Sequence, residues 1–102
     1  MALDFSSDGI RVNAVSPGWT WSTGMERLGL TREAVDGVAA PFHFPGRAAD
    51  RSEIADAVLF LCSDLARFIS GANLPVDGGY MAIGPEGRNS AFDDLIKAIP
   101  SE

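Results

Sequence analysis

The sequence contains few of the side chains that usually carry catalysis or bind metals. It has one histidine, one cysteine, one tyrosine and one lysine among its 102 residues. The single cysteine, Cys62, excludes an internal disulfide and a cysteine-based zinc site, and its apolar neighbours predict packing in the middle of a helix. The single histidine, His43, excludes a His-Glu-x-x-His metal helix. We therefore predict no metal site.

His43 is also a weak candidate for general-base catalysis. It lies in the segment 41–45, Pro-Phe-His-Phe-Pro, whose two prolines are typical of a loop. We expect the ring to pack among aromatic side chains rather than to exchange a proton with a substrate.

Signatures of several other protein classes are missing. No two glycines are spaced as Gly-x-Gly, and Ile96 precedes Lys97, so neither a Gly-rich dinucleotide-binding turn nor a Gly-Lys phosphate loop is present. No apolar run approaches the roughly 20 residues that span a bilayer. A net charge of −6 argues against nucleic acid and anionic membranes as partners. Without a basic and then apolar segment at the N-terminus, we expect a reduced, cytoplasmic setting.

The first predicted element is a short strand over 10–15, in which alternate side chains share a face. A Pro-Gly pair at 17–18 follows it. Residues 19–46 predict a long excursion with short helices, which is typical of a lid or a binding loop. Within this excursion Thr31 predicts the N-cap of a helix that runs to about Ala39.

The clearest helix is predicted over 51–69. Asp50 and Glu53 have the spacing of a capping box at its start, and Gly71 marks its end. An apolar stripe along one face of this helix predicts packing against a core. The stripe consists of Ile54, Ala57, Val58, Leu61, Leu65 and Phe68.

A strand is predicted over 73–76, after the long helix. Pro75 has no N–H to donate to a neighbouring strand, which favours a position at a sheet edge. The alternative is a hairpin across Asp77-Gly78, with 80–83 as the return strand. We expect Asp77 and the two glycines after it to form a turn.

The tail from residue 84 predicts one more short helix, capped by Ser90 and ended by Pro100. We expect its apolar face to bury against another part of an assembly, such as a partner subunit. That face carries Phe92, Leu95, Ile96 and Ile99.

Strand, excursion, helix and strand make one βαβ unit of an α/β protein. Such a unit belongs to a parallel sheet that is covered on both faces. Two strands and a few helices do not complete that sheet, so the apolar faces need neighbours that the sequence does not contain. We therefore expect an incomplete fold, with residues 1–83 belonging to the sheet domain and 84–102 forming the tail.

Three blocks of the sequence, in order, resemble the C-terminal part of the short-chain dehydrogenase/reductase family. Residues 9–18, GIRVNAVSPG, resemble the last-but-one strand of that family and its Pro-Gly turn. Gly46-Arg47 together with 53–64 resembles the helix that follows. Residues 68–80 are similar to the last strand and its closing Asp-Gly-Gly turn. The resemblance covers most of the chain, and the start at Met1 would fall in the middle of a family helix.

The resemblance implies an NAD(P)-dependent oxidoreductase that acts on alcohol or carbonyl groups. It implies a doubly wound, Rossmann-type parallel sheet, of which this sequence holds only the C-terminal part. The family's Gly-rich turn, catalytic Ser and Tyr-x-x-x-Lys pair cannot be located here, because Gly84 follows Tyr80 at the lysine spacing and Asp93 precedes Lys97 at the tyrosine spacing. We therefore assign no catalytic residue and expect no turnover by this chain alone.

The resemblance also implies where the nicotinamide of NAD or NADP would lie. Pro17 and Gly18 correspond to the wall beside the ring, and the main chain of Thr20 to the partner of the carboxamide. The family usually has Val or Ile at the position of Thr20. Ser22 corresponds to a Thr whose hydroxyl helps to hold the carboxamide, and its alternative role is to cap the next helix.

Four apolar residues fall where the family places its substrate lid: Trp19, Trp21, Met25 and Leu28. Two tryptophans suit a small-molecule substrate that is an apolar or alicyclic alcohol or carbonyl. The alternative is that these side chains pack the lid onto the fold. The family further implies a homo-oligomer.

A function of another class stays open. The chain is alternatively a non-catalytic module that binds subunits of a full-length relative, or a degenerate remnant. A module is expected to fold cooperatively alone, whereas part of a larger fold exposes strand edges that invite aggregation.

Overall fold

A computed structural model describes residues 1–84 and 91–100, in which two parallel strands are joined and flanked by short helices. In chain order the elements are β1 (Ala14–Pro17), α1 (Thr23–Arg27), α2 (Arg32–Ala39), α3 (Arg51–Cys62), β2 (Asn73–Val76) and α4 (Ala91–Lys97). Single 3-10 turns occur at Ser6–Asp8, Ala40–Phe42, Asp64–Ala66 and Tyr80–Ala82. The predicted α/β class and the βαβ order are confirmed.

β1 and β2 pair in parallel, with Ala14 opposite Asn73 and Pro17 opposite Val76. β2 has the predicted bounds, but the first strand is shorter and begins later than the predicted 10–15. Before β1, main-chain and side-chain bonds are mixed, and the Gly71 amide donates to the Val12 carbonyl at 2.8 Å. The Val12 amide donates to the Ser70 hydroxyl at 3.2 Å.

Pro75 lies on the side of β2 that faces away from β1. The Ala14 amide donates to the Ala72 carbonyl at 2.9 Å, and the Gly18 amide donates to the Val76 carbonyl at 3.0 Å. Residues 72 and 76 therefore face β1, and Pro75 is one position out of phase with them. Its missing N–H interrupts no bond to β1, as expected for an edge position.

The alternative of a hairpin after β2 is wrong, because residues 80–82 form a 3-10 turn rather than a strand. Asp77 stabilises this turn. Its carboxylate is 9% exposed, and it accepts hydrogen bonds from the amides of Gly79 at 3.1 Å and Met81 at 3.0 Å. Gly79 has φ of +91°, which only glycine adopts readily.

The predicted caps of α2 and α3 are present. The Thr31 hydroxyl accepts from the Ala34 amide at 3.1 Å, and α2 ends at Ala39 as expected. At the start of α3 the capping box is formed, and the Asp50 amide donates to the Glu53 carboxylate at 2.8 Å.

α3 ends at Cys62, well before the predicted end at 69. Ser63 is extended, with φ −88° and ψ 167°, and its hydroxyl donates to the Phe60 carbonyl at 2.7 Å. This local bond stops the helix where the apolar periodicity continues. Cys62 is therefore the last helical residue and is exposed, so the prediction that it packs in mid-helix is wrong.

The predicted apolar stripe of α3 is only partly buried. Leu61 is buried and Ile54 is half-buried. Leu65 and Phe68 lie beyond the helix and are 80% and 101% exposed, so the prediction that they pack in a core is wrong for the described chain. Their apolar surface faces solvent because no described segment packs over it.

The main cluster of buried apolar residues in the described chain is small and lies within the excursion and just after it, not under the sheet. Val35, Ala39 and Ala48 form its centre, and Trp21 and Met25 pack against it. The core thus joins α1 and α2 to the segment before α3. The faces of β1 and α3 have no comparable cover within residues 1–84 and 91–100, which agrees with the expected incomplete sheet.

The last helix is present in the tail as α4. Its apolar residues Leu95 and Ile96 are exposed, and so is Ile99 just beyond it. The predicted cap Ser90 and the side chain of Phe92 lie outside the described residues. No helix in the described part of the chain has both the length and the apolar character needed to cross a membrane.

Candidate functional site

A cleft of about 680 Å³ opens at the carboxyl end of β1. The turn after β1 forms one wall and one face of α3 forms the other. The lining residues are Pro17, Gly18, Trp19, Thr20, Met25, Arg51, Ile54, Ala55 and Val58. Because open α/β sheets bind ligands beyond the carboxyl ends of their strands, this cleft is the candidate site.

The cleft brings together most of the predicted site residues, namely Pro17, Gly18, Trp19, Thr20 and Met25. The other predicted lid residues lie elsewhere. Trp21 packs against the core around Val35, which agrees with the alternative that these side chains pack the segment onto the fold. Leu28 is 80% exposed.

Ser22 caps α1, since its hydroxyl accepts from the Met25 amide at 3.3 Å. The capping alternative is therefore confirmed. A contact of Ser22 with a nicotinamide carboxamide stays a prediction.

Thr20 has its main-chain polar groups turned away from the neighbouring segment. It forms a parallel bridge with Ala49, in which the Ala49 amide donates to the Trp19 carbonyl at 2.8 Å and the Trp21 amide donates to the Ala49 carbonyl at 2.9 Å. Successive residues of an extended chain direct these groups to opposite sides. The N–H and C=O of Thr20 therefore face away from Ala49, at a residue that lines the cleft.

The side chain of Thr20 is satisfied locally, because its hydroxyl donates to the Gly18 carbonyl at 3.0 Å. A threonine in place of the family's usual Val or Ile therefore leaves the main chain available. An adjacent donor and acceptor of this kind complement a carboxamide, which itself has one donor group and one acceptor.

Gly18 is required by packing inside the chain itself. A Cβ at this position would lie 2.8 Å from His43 Nε2 and 2.9 Å from Asp77 Cα. The close approach of a cofactor ring to Gly18 stays a prediction, while the close approach of His43 and the β2 turn is a feature of the structure.

His43 is the buried residue that sequence reasoning undervalued. It is 2% exposed and packs among aromatic rings, as predicted, but the rings are those of Trp19 and Tyr80 rather than its sequence neighbours. Its contact with the turn after β1 could not be read from the sequence, since the two are separated by the whole of α1 and α2.

Arg32 fastens the excursion to the start of α3. Its guanidinium contacts Asp36 at 2.9 Å and Asp50 at 2.6 Å, and donates to the Ala48 carbonyl at 2.9 Å. The hydrogen bond from Arg32 lowers the pKa of the Asp36 carboxyl. The i,i+4 spacing of Arg32 and Asp36 was the one available sequence signal for this cluster.

Arg47 forms a two-pronged ion pair with Glu53, with N–O distances of 2.6 and 2.9 Å. The hydrogen bond from Arg47, followed by that from the Asp50 amide, lowers the pKa of Glu53 from 4.5 to about 2. A single carboxylate thus both caps α3 and holds the segment that precedes it.

This ion pair predicts a pH dependence of stability. Because the folded-state pKa of Glu53 is depressed, its contribution is complete above pH 4.5 and is lost as the pH falls through about 2. We expect wild type to lose more unfolding free energy across this interval than Glu53→Gln, which keeps a capping oxygen but does not titrate. Urea unfolding at a series of pH values measures the difference. Parallel curves for the two proteins would contradict the assignment.

The βαβ unit and the cleft at the end of its first strand define this chain as part of a doubly wound, Rossmann-type α/β protein. A family model described as Enoyl-(Acyl carrier protein) reductase matches residues 1–81. The chain belongs to the short-chain dehydrogenase/reductase family.

Two curated relatives and one solved structure illustrate the match. The chain is 46% identical over 86 residues to 2-(S)-hydroxypropyl-CoM dehydrogenase 3 of Xanthobacter autotrophicus, covering 81% of this chain and 34% of that protein. It is 42% identical over 82 residues to cis-4-hydroxycyclohexanecarboxylate dehydrogenase of Sinomonas cyclohexanicum, covering 80% and 32%.

The solved structure is a short-chain dehydrogenase family protein from Francisella tularensis. It aligns with a TM-score of 0.65 and 34% identity over 79% of this chain and 37% of that one. The chain therefore spans about a third of the length of the relatives that it matches.

Proposed function

We propose that this chain supplies the nicotinamide-side wall and part of the substrate lid of an NAD(P)-dependent oxidoreductase that interconverts alcohols and carbonyls. One observation carries the proposal. The cleft at the carboxyl end of β1 is lined by Pro17, Gly18 and Thr20, the residues that correspond to the family's nicotinamide wall.

The residues of the cleft fit a nicotinamide. When bound, that ring supplies the hydride donor or acceptor. The apolar lining, including Met25 and Ile54, would cover part of the ring, and the main-chain N–H and C=O of Thr20 would hold its carboxamide. The Ser22 hydroxyl already accepts one hydrogen bond and keeps its hydrogen to donate, so capping and carboxamide binding are compatible.

The groups that exchange a proton with the substrate are proposed to come from outside this sequence, as the family's Ser and its Tyr-Lys pair. Tyr80 is a poor substitute for the family's catalytic Tyr, because its ring is packed in the turn after β2. Its ring centroid lies 5.6 Å from that of His43 and 6.2 Å from that of Phe42. The chain alone is therefore proposed to be inactive.

The proposed substrate is an apolar or alicyclic alcohol or carbonyl. Trp19 and Met25 bring aromatic and flexible apolar surface to the cleft. The alicyclic ring in the name of the Sinomonas relative agrees with this class. We further propose a cytoplasmic homo-oligomer without nucleic-acid or membrane partners.

The exposed apolar faces favour a second candidate, a non-catalytic module that binds subunits of a full-length relative. These faces carry Leu59, Phe60, Leu65 and Phe68, all of which are exposed. A degenerate remnant would expose the same surface but would bind nothing.

Fragment complementation tests the proposal. The chain is co-expressed with the part of the Xanthobacter dehydrogenase that precedes the matched segment, and the relative's own C-terminal third serves as the positive control. We expect NAD(H)-dependent turnover on the order of a hundredfold above either part alone, since misplacing the reactants by about 1 Å can cost that factor. We also expect NADH to leave the melting of the isolated chain unchanged.

Two results would change this account. One is saturable stabilisation of the isolated chain by NADH, which would overturn the expectation that the cofactor site is incomplete in this chain, since a ligand that binds only the native state raises its stability. The other is a chain that does not associate with the N-terminal part but binds the intact relative. That result would identify the chain as the subunit-binding module.

A further inference from the structure

The two ring nitrogens of His43 bind main-chain atoms of two different elements. The Trp19 amide donates to Nε2 at 3.1 Å, and Nδ1 lies 2.9 Å from the Ala39 carbonyl oxygen. Trp19 belongs to the turn after β1, and Ala39 is the fully buried last residue of α2. The ring therefore spans the distance between the wall of the cleft and the core of the lid.

These partners fix the tautomer of His43. A main-chain amide can only donate, so Nε2 must be the acceptor, and a carbonyl can only accept, so Nδ1 must carry the hydrogen. The hydrogen-bond partners of the two nitrogens thus determine which nitrogen carries the hydrogen. Because His43 is 2% exposed, solvent has little access to either bond.

The bridge holds the residue next to Thr20, which lines the cleft. Thr20 follows Trp19 directly, so a displacement of the Trp19 amide displaces the N–H and C=O of Thr20. Gly18, one residue earlier, lets the ring approach, since a Cβ there would lie 2.8 Å from Nε2. The turn and the ring are therefore fitted to one another.

We propose that His43 is a positioning residue, whose Nδ1–H tautomer couples α2 to the turn that presents Thr20 to the cleft. The coupling itself is a property of the chain, while its effect on a nicotinamide cofactor rests on the proposed function. Both ends of the bridge are main-chain groups, the Trp19 amide and the Ala39 carbonyl. Neither end therefore uses a side chain that the family resemblance assigns to the site.

Two near-isosteric variants separate the two bonds. His43→Gln places an amide near Nε2, and its oxygen can accept from Trp19. His43→Asn places an amide near Nδ1, and its N–H can donate to Ala39. His43→Leu removes both bonds. A purely structural role predicts that Gln and Asn do similar damage, whereas a positioning role predicts that Gln retains the cleft and Asn does not.

The isolated 102-residue chain gives the first test. It contains one histidine, so its ring 15N signals need no assignment. We expect the hydrogen on Nδ1, and we expect the Trp19 and Thr20 amide signals to shift in Asn and Leu but to stay near wild type in Gln. A hydrogen on Nε2, exchange-averaged ring signals, or equal shifts in Gln and Asn would overturn the proposal.

The complemented enzyme gives the second test. We expect the NADH dissociation constant to rise about tenfold in His43→Asn and to change less than about threefold in His43→Gln, as for one hydrogen bond lost or kept. Equal weakening in the two variants counts against positioning. If the wild-type complex binds no NADH, the proposed function fails, and the ring spectrum still decides whether His43 forms the bridge.

Discussion

Gly18→Ala is expected to lower the free energy of unfolding by about 1–3 kcal/mol, the usual cost of overpacking a tight contact. The added methyl would lie 2.9 Å from Asp77 Cα and 2.8 Å from His43 Nε2. The first is a main-chain atom and the second belongs to a buried ring held at both nitrogens, so neither can turn aside as an exposed side chain would. Urea unfolding followed by tryptophan fluorescence measures the change.

Gly37→Ala is the matched control. A Cβ at Gly37 meets nothing within 4 Å, and the residue lies inside α2. Alanine there is expected to stabilise the chain by about 0.5–1 kcal/mol, because it removes the conformational entropy of glycine from a helix. If Gly18→Ala were as harmless as Gly37→Ala, the close packing of the turn on His43 would be wrong.

Asp77→Ala is expected to cost about 2–3 kcal/mol. The carboxylate of Asp77 accepts from the amides of Gly79 and Met81, and removing it leaves both donors without a partner in the turn after β2. The turn also carries Tyr80, which packs on His43, so the loss should extend to the wall of the cleft. The urea midpoint and the near-ultraviolet circular dichroism of the aromatic residues report the two effects.

Asp77→Asn separates the hydrogen bonds from the shape of the side chain. Asparagine keeps one acceptor oxygen in place, so about half of the loss is expected. Equal losses in Asn and Ala would mean that both bonds depend on the carboxylate charge. Negligible loss in both would contradict a role for Asp77 in winding the turn.

The elements that the sequence predicted well are those set by neighbouring residues. Thr31 and the Asp50–Glu53 pair cap their helices through bonds that span three residues. Patterns of this range leave a direct trace in the sequence. The bounds of β2 are similarly local, since turn residues flank it on both sides.

The predicted bounds of β1 and α3 are wrong where a hydrogen bond from a side chain interrupts an element that the hydrophobic pattern would continue. The alternation that predicts a strand over 10–15 does not reveal that the Val12 amide binds the Ser70 hydroxyl instead of a main-chain carbonyl. The stripe that predicts a helix to 69 does not reveal that Ser63 binds the Phe60 carbonyl and ends it. Periodicity reports which face is apolar, but not which polar group intervenes.

The candidate site was predicted in part for a similar reason. Pro17, Gly18 and Thr20 form one short segment, whose role came from a family resemblance rather than from its composition. The opposite wall, with Arg51 and Ala55, comes from α3 and becomes visible only when the chain is folded. His43 could be placed among aromatic rings in general, but not against these particular ones.

The small core of the excursion bears on the order in which parts of this molecule acquire their shape. Trp21 and Ala48 both belong to that core. The sequence separation between them is less than half of the 59 residues between Asn13 and Ala72, which come together when the strands pair. Since each doubling of a loop adds about 0.6 kcal/mol of closure entropy, the shorter loop closes at lower entropic cost. We therefore expect the excursion to pack around this core before β1 and β2 pair.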